Sequence, residues 1–234
     1  MSGKKECIMK IKLISYSQPT SEMCEEGLEN VQDLIVFCAR VSNPSNQTNT
    51  DTSEKLIRYL IKNQHWSPLE LVNACLEIET TRDIARQILR HRSFSFQEFS
   101  QRYADPTKEL DFVLREARLQ DAKNRQNSIE MGVTLKDSLI ADEWKRRQVD
   151  IIRQVKESYE WAITNGIAKE QARAILPEGN TVSRLYMNGT LRSWIHYIQL
   201  RSENGTQKEH RQIALKCAEV IAKVFPMAKE FTEY

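Results

Sequence analysis

Apolar and polar residues alternate in two stretches of the chain, which is the pattern of a strand with one buried face. The first is CIMKIKLISYS at residues 7–17, where Ile11 and Leu13 alternate with lysines. The second is LVNACLEIETT at residues 71–81. A third stretch, TVSRLYMNG at 181–189, also resembles a strand. We therefore predict three strands that lie far apart along the chain.

Between and after these strands, apolar residues recur at spacings of three and four, which predicts amphipathic helices. A shorter helix, AKEQARAIL at 168–176, is stopped by Pro177. The longer helical segments are GLENVQDLIVFCARVS (27–42), EKLIRYLIKNQ (54–64), RDIARQILRHR (82–92), DSLIADEWKRRQVDIIRQVKESYEWAITNGI (137–167), TLRSWIHYIQLR (190–201) and TQKEHRQIALKCAEVIAKVF (206–225).

Local signals mark several helix ends. Thr52 or Ser53, Thr190 and Thr206 stand at helix starts, where a hydroxyl can accept a hydrogen bond from a free backbone N–H. Gly166 marks the end of the longest helix. Six apolar residues recur at near-helical spacing, which predicts that this long helix is amphipathic: Leu139, Trp144, Val149, Ile152, Val155 and Tyr159.

The segment from 106 to 138 has the weakest pattern. Its first part, DFVLREARLQ, suits a short strand or a helix, and the polar DAKNRQNSIEMGV that follows is expected to be a mobile loop or an insertion. No internal repeat or linker divides the chain. We predict one α+β domain over residues 1–234, in which several helices pack on a small, mostly antiparallel sheet.

The composition excludes several classes of protein. Hydrophobic residues make up 40% and charged residues 28%, which is typical of a globular protein. The net charge of +2 means that an anion site must come from local clustering of cations. Lysines interrupt the apolar stretch near the start of the chain, so we predict that it is not a signal peptide. No apolar run reaches membrane-spanning length. The five cysteines form no CxxC pair. We therefore predict a reduced, cytoplasmic protein.

Familiar ligand-binding motifs are missing from the sequence. The four histidines form no metal-ligand pattern such as HExxH, so we predict no metal. The seven glycines are isolated, and neither a Walker loop nor a GxGxxG turn is present. If the protein binds a nucleotide, side chains and helix ends must hold the phosphates.

The stretch ILRHRSFSFQEFSQRY at 88–103 concentrates cations and aromatic residues. A solvated basic helix face, the cation-tolerant end of a helix and an anion-binding site all suit it. Its phenylalanines are expected to be core residues. Glu98 and Arg102 have the spacing of a helical ion pair. Nothing nearby activates Ser100 as a nucleophile, so we expect it to form hydrogen bonds.

Five ordered blocks resemble one family. Arg90-His91-Arg92, followed after seven residues by Ser100, resembles the RHR-x7-S signature of the flavin-dependent thymidylate synthases. The order and spacing of the blocks agree over roughly residues 30–225. The other four blocks are ARVS (39–42) and HWSPLE (65–70) upstream, and ARAILP (172–177) and NGTLRSWIHYIQLR (188–201) downstream.

The resemblance implies an activity and its cofactors. Enzymes of this family methylate deoxyuridylate (dUMP) at C5 of uracil to give dTMP. Methylenetetrahydrofolate supplies the carbon, and FAD reduced by NADPH supplies the hydride. The resemblance also implies a homotetramer with active sites at the subunit interfaces, and neither a nucleic acid nor a membrane as partner.

The resemblance further implies roles for individual residues. Arg201 and His65 are the candidate catalytic residues, with His65 near the flavin and the folate. The set expected to bind dUMP is Gln87, Arg90, Glu98, Ser100, Gln101, Arg102, Arg173 and Arg201. Within it, Arg102 and Arg173 are expected at the phosphate, Glu98 at the sugar and Arg201 near the pyrimidine carbonyls. The set expected to bind FAD is Ser42, Ser67, Glu70, Arg90, His91, Arg92, Thr190, Arg192 and His196.

Four positions depart from the usual residues of the family. Gln97 and Thr190 stand where Asn is common, and Leu71 and Gly205 stand where His is common. These changes affect single contacts, and Gly205 leaves one flavin contact open.

The leading alternative is a nucleic-acid-binding module with a basic, aromatic groove at 82–102. The balanced charge and the carboxylates of Glu70 and Glu98 argue against it, because they would repel phosphates. A purely structural subunit is a third possibility, and it gives no reason for arginines within the ordered blocks.

Overall fold

A four-stranded antiparallel sheet lies at the centre of the fold, and its strands run in the order β1-β2-β6-β3. The computed structural model describes residues 9–232. The strands are β1 (Lys10–Tyr16), β2 (Asn73–Thr81), β3 (Ser95–Glu98) and β6 (Val182–Thr190). The three predicted strands are confirmed, although residues 7 and 8 of the first segment lie outside the described residues. Strand β3, which pairs with β6, was not predicted.

Helices connect these strands. The predicted long segments are confirmed, with ends that differ by a few residues. The helices are α1 (Ser21–Glu25), α2 (Val31–Ala39), α3 (Ser53–Lys62), α4 (Arg82–Ile88), α5 (Pro106–Glu109), α6 (Leu135–Thr164), α7 (Lys169–Ala172), α8 (Leu191–Ser202) and α9 (Lys208–Ile221), with 3₁₀ turns at Pro44–Asn46, Ser67–Glu70, Arg173–Ile175 and Pro226–Thr232.

One face of the sheet builds the main core. Leu76 and Ile78 of β2 and Leu185 and Met187 of β6 are fully buried there, under helices α2, α3, α4, α8 and α9. Residues at alternate positions point to the other face, because successive side chains of a strand face opposite sides. The apolar alternation of β2 therefore predicted its buried face correctly.

Helix α6 packs over only part of its length. Tyr159 and Ala162 near its C-terminal end are buried in a second apolar cluster with Phe112. Leu139 and Trp144, near the other end, are 62% and 42% exposed. Only part of the apolar face of this amphipathic helix is therefore covered within the chain, since thirty residues extend about 45 Å.

The weakly patterned segment contains a hairpin, which the sequence did not predict. Strand β4 (Arg118–Gln120) pairs with β5 (Ser128–Glu130). The carboxylate of Asp121 organises the connecting turn, because it accepts hydrogen bonds from the backbone N–H of Lys123 at 2.8 Å and from the amide of Asn127 at 2.9 Å. Local hydrogen bonds define this turn in place of apolar packing.

Two of the expected helix caps are replaced by other contacts. Thr190 caps α8 as predicted, and its hydroxyl accepts from the N–H of Ser193 at 3.2 Å. Thr52 precedes α3, but its hydroxyl accepts from Arg40 at 2.6 Å and caps no N–H. Gln207, and not Thr206, is the residue before α9.

Residues 9–232 include no helix that is both long enough and apolar enough to cross a membrane. They also hold no group of three or more His, Cys, Asp or Glu side chains placed to bind a metal ion.

Candidate active site

The end of the sheet where β2 begins and β6 ends brings two predicted blocks together. Asn73 of β2 pairs with Thr190 of β6, so the turn Ser67–Glu70 lies beside the start of α8. The guanidinium of Arg192 there forms an ion pair with the carboxylate of Glu70. Three residues of the expected flavin set therefore meet at one place.

A pair of aromatic rings lies in the same region. The rings of Trp66 and His196 pack with their centroids 4.5 Å apart and their planes tilted by 56°. Partial burial, and then the charge of Arg192, lower the pKa of His196, which favours the neutral imidazole. Trp66 was not singled out from the sequence, although it stands inside the HWSPLE block. The remaining flavin candidate, Ser42, is exposed shortly after α2, a helix that packs on the Ser67–Glu70 turn.

The turn between α4 and β3 carries the RHR block. The guanidiniums of Arg90 and Arg92 form neither a hydrogen bond nor an ion pair within residues 9–232, and both residues are exposed. The hydroxyl of Ser193 in α8 donates to the carbonyl of Ser93 at 3.3 Å. This bond joins the turn to the start of α8, where the flavin candidates Thr190 and Arg192 lie. The turn therefore presents two free cations, and guanidinium suits phosphate oxygens.

His91 points inward from the same turn and contacts Arg201. The Nε of Arg201 donates to the Nε2 of His91 at 3.0 Å. Burial, and then the charges of Arg201 and Arg90, lower the pKa of His91 to about 4. The edge-to-face ring of Tyr197 lies 4.9 Å away, centroid to centroid. A neutral His91 thus holds the guanidinium of Arg201.

Gln87 lies close by in a hydrogen-bonded group that the sequence did not reveal. Its Nε2 donates to the Oε1 of Gln207 at 2.8 Å, and its Oε1 lies 3.2 Å from the Nδ1 of His210. His210 is fully buried, and burial is the main reason that its pKa is lowered to about 3. The only signal in the sequence was the polar TQKEHR segment at the start of an otherwise apolar helix.

The other residues expected to bind dUMP lie around α7 and the end of β3. Glu98 accepts from the hydroxyl of Ser183 at 2.7 Å, and its partner cation is Arg82, 3.9 Å away. The expected helical pair of Glu98 with Arg102 is wrong, because Glu98 belongs to a strand and Arg102 pairs with Glu170 at 3.6 Å.

The segment Ser100–Arg102 follows this strand directly. The hydroxyl of Ser100 accepts weakly from the N–H of Arg102 at 3.4 Å. Gln101 is buried, and its amide nitrogen has no hydrogen-bond partner within the described residues. Arg173 donates to the backbone carbonyl of Glu170 at 3.4 Å. Glu170 therefore contacts both arginines that are expected to bind the phosphate.

The structure thus divides the expected substrate residues into two groups. Gln87 contacts His210 and Arg201 contacts His91, and these two imidazole rings lie 6.2 Å apart, centroid to centroid. Arg102 and Arg173, in contrast, meet at Glu170. His65 joins neither group; it is exposed, with its ring 6.0 Å from that of Tyr59.

Comparisons with known proteins match one family over most of the chain. The family model described as "Thymidylate synthase complementing protein" matches residues 25–227. A protein of Paramecium bursaria Chlorella virus 1, named a probable flavin-dependent thymidylate synthase, is 46% identical over 221 residues, which are 93% of this chain and 96% of the viral one. The flavin-dependent thymidylate synthase of Synechocystis is 46% identical over 226 residues, which are 97% of this chain and 100% of that protein.

The chain belongs to the flavin-dependent thymidylate synthases. The resemblance seen in the ordered sequence blocks is thereby confirmed. The protein is an enzyme of this family, and its blocks meet in the fold although long stretches of chain separate them.

A solved structure shares the fold of this flavin-dependent thymidylate synthase. It is the UMP/dUMP methylase PolB of Streptomyces cacaoi bound with 5-Br dUMP, with a TM-score of 0.74 and 23% identity. The match covers 97% of this chain and 95% of that one. The α+β architecture is therefore common to both proteins.

Proposed function

We propose that this enzyme methylates dUMP at C5 of the uracil ring and releases dTMP. Family membership over nearly the whole chain carries this proposal. Methylenetetrahydrofolate is the carbon donor. When bound, FAD that NADPH has reduced supplies the hydride that turns the transferred methylene into a methyl group.

The residues at the flavin end of the sheet suit FAD. Arg90 and Arg92 offer two cations that have no partner within the described residues, which matches a pyrophosphate dianion. Trp66 and His196 offer aromatic rings against which a ring system can pack. Ser42, Ser67, Glu70, Thr190 and Arg192 would complete the contacts by hydrogen bonds.

Arg201 and Gln87 would hold the pyrimidine. A guanidinium keeps its charge and only donates hydrogen bonds, so Arg201 stabilises negative charge that develops on the ring during attack at the methylene carbon. Because His91 is neutral, it orients Arg201 without adding a second charge. His65 would lie near the flavin and the folate.

Arg102 and Arg173 would bind the phosphate, with Ser100 beside them. The buried amide of Gln101, which has no partner within the described residues, suits a further hydrogen bond to the nucleotide. Glu98 would accept from the sugar hydroxyl.

We infer that a second copy of the chain completes each site in a homotetramer. The two groups of substrate residues lie around different helices of one chain, which suits a nucleotide held between two chains. Apolar side chains of α6 such as Leu139 are exposed on one chain, and such surfaces are typical of interfaces.

Cofactor content and substrate affinity test this proposal. We expect the purified protein to be yellow and to release FAD on denaturation. Titration calorimetry of dUMP into the FAD-loaded protein should give a saturable heat that a Gln87→Ala, Arg201→Ala double variant lacks. A colourless protein that fails to bind added FAD would overturn the proposal.

A further inference from the structure

A chain of hydrogen bonds runs from a buried tyrosine through Gln87 to a buried carboxylate. The hydroxyl of Tyr197 lies 3.2 Å from the Nε2 of His210, whose Nδ1 lies 3.2 Å from the Oε1 of Gln87. The Nε2 of Gln87 donates to Gln207 at 2.8 Å, and the Nε2 of Gln207 donates to Glu209 at 3.1 Å. This series of hydrogen bonds joins helices α4, α8 and α9.

The carboxylate at the end of this chain is held ionised. Burial raises the pKa of Glu209, but a hydrogen bond from Arg118 and the charge of Arg115 outweigh it and leave the pKa below its ordinary value. The two guanidiniums lie 2.6 Å and 3.0 Å from its oxygens. An ionised carboxylate only accepts hydrogen bonds, so it fixes the direction of the chain.

The orientation of each side chain in this series of hydrogen bonds then follows from that of its neighbour. Gln207 must turn its nitrogen to Glu209, which leaves its oxygen to accept from the nitrogen of Gln87. The oxygen of Gln87 then faces His210, which must carry its proton on Nδ1 and accept from Tyr197 on Nε2. If Gln87 turned over, its oxygen would face the oxygen of Gln207, and that hydrogen bond would be lost.

The fixed orientation of the Gln87 amide decides which nucleobase it can pair with. Uracil presents N3–H as a donor between two carbonyl acceptors, whereas cytosine presents an unprotonated N3 beside a donating amino group. The pair of hydrogen bonds that an amide forms with the uracil edge must be reversed for cytosine. Gln87 can exchange the positions of its donor and its acceptor only if its amide group rotates by half a turn.

We propose that Gln87 determines specificity for a uracil over a cytosine nucleotide, and that Gln207 is the positioning residue that holds its amide in the selective orientation. This inference rests on the proposed function, in which Gln87 faces the pyrimidine. His210 adds no such restraint, because with its proton on Nε2 it can accept from a turned-over Gln87 and donate to Tyr197.

Substitutions at the two neighbours of the Gln87 amide separate positioning from packing. Gln207→Leu removes the acceptor that fixes the amide, whereas in His210→Asn the new amide can donate to or accept from Gln87 in either orientation. The affinities of dUMP and dCMP are measured by titration calorimetry on the FAD-loaded protein. We expect Gln207→Leu to reduce the preference for dUMP about tenfold, as the loss of one hydrogen bond implies, and His210→Asn to retain the preference.

Several results would overturn the inference. One is a wild-type protein that binds dCMP as well as dUMP, and another is a Gln207→Leu variant that keeps the wild-type preference. Equal weakening of both nucleotides in that variant would indicate a structural role only. If Gln207→Leu does not fold, Gln207→Met must show the same reduced preference. Unchanged dUMP affinity in Gln87→Ala would instead reject the role of Gln87 in the proposed function itself.

Discussion

The Nε of Arg201 donates a hydrogen bond to the Nε2 of His91 across 3.0 Å, and so joins the last turn of α8 to the turn after α4. The guanidinium has no acceptor, so His91 must present an unprotonated Nε2. The lowered pKa of His91, about 4, has the same consequence. The middle histidine of the RHR block thereby positions the arginine that we expect at the pyrimidine.

Replacing Arg201 should separate chemistry from cofactor binding. We expect Arg201→Ala to lower kcat/KM for dUMP at least about 100-fold, because a charge that stabilises the transition state is lost. FAD should stay bound, because Arg201 is not among the residues expected to bind the flavin, and Glu70, Thr190 and Arg192 meet at the other end of α8. Steady-state turnover and the flavin absorbance of the same samples measure the two effects. Arg153→Ala, on the exposed face of α6, is the control. Turnover like that of the wild type in Arg201→Ala would reject the role.

The phosphate assignment predicts a dependence on the nucleotide's charge. Arg102→Ala should weaken dUMP binding by about 10- to 100-fold, as expected for a lost hydrogen bond between two charged groups. Deoxyuridine, which lacks the phosphate, should bind this variant and the wild type equally well. Calorimetric titrations of both ligands measure the difference. A loss of equal size for nucleoside and nucleotide would contradict the assignment.

The two buried histidines should make the fold sensitive to acid. Their folded-state pKa values, about 4 for His91 and about 3 for His210, lie below the ordinary value of 6.5. Between pH 6.5 and about 4 the unfolded chain therefore binds protons that the folded chain does not. The free energy of unfolding should fall as the pH decreases through this window, by about 1.4 kcal/mol per pH unit for each histidine, and should not depend on them above it.

Urea unfolding at several pH values measures this dependence. His210→Asn, which removes one of the two titrating groups, should have the shallower slope between pH 6.5 and 4. Equal slopes in the two proteins would show that His210 titrates normally in the folded state.

Gly189 should tolerate no side chain. A Cβ there would lie 2.6 Å from the Cε1 of Phe94, whose ring packs 4.8 Å from that of Trp194, centroid to centroid. We expect Gly189→Ala to destabilise the fold by about 1–3 kcal/mol through overpacking. Gly205→Ala is the control, since no atom lies within 4 Å of the added carbon. Equal melting temperatures of the two variants would contradict this packing.

The exposed apolar side of α6 should be covered in the assembly. We expect Leu139→Glu to lower the molar mass in solution, because it would place a charge in a contact between chains. Light scattering coupled to size-exclusion chromatography measures the mass. Lys145→Glu, which reverses a charge elsewhere on the same helix, should leave the assembly unchanged. A Leu139→Glu protein with the mass of the wild type would remove this face from the interface.

The sequence predicted the elements better than their contacts. Strand β6 and helix α8 were predicted, together with the cap at Thr190, because pattern and capping are local properties. The series of hydrogen bonds through Gln87 and His210 was not predicted, since these residues are 123 positions apart and meet only in the fold. The pattern of α6 predicted an apolar face, but pattern alone does not tell which part another element of the same chain covers.

The most direct test of this account is the formation of dTMP by the purified protein. Labelled dUMP is incubated with methylenetetrahydrofolate and NADPH, before and after removal of FAD, and the products are separated by chromatography. We predict labelled dTMP from the FAD-loaded protein, none after FAD is removed, and recovery when FAD is added back. Equal dTMP formation without FAD, or none in its presence, would contradict the account.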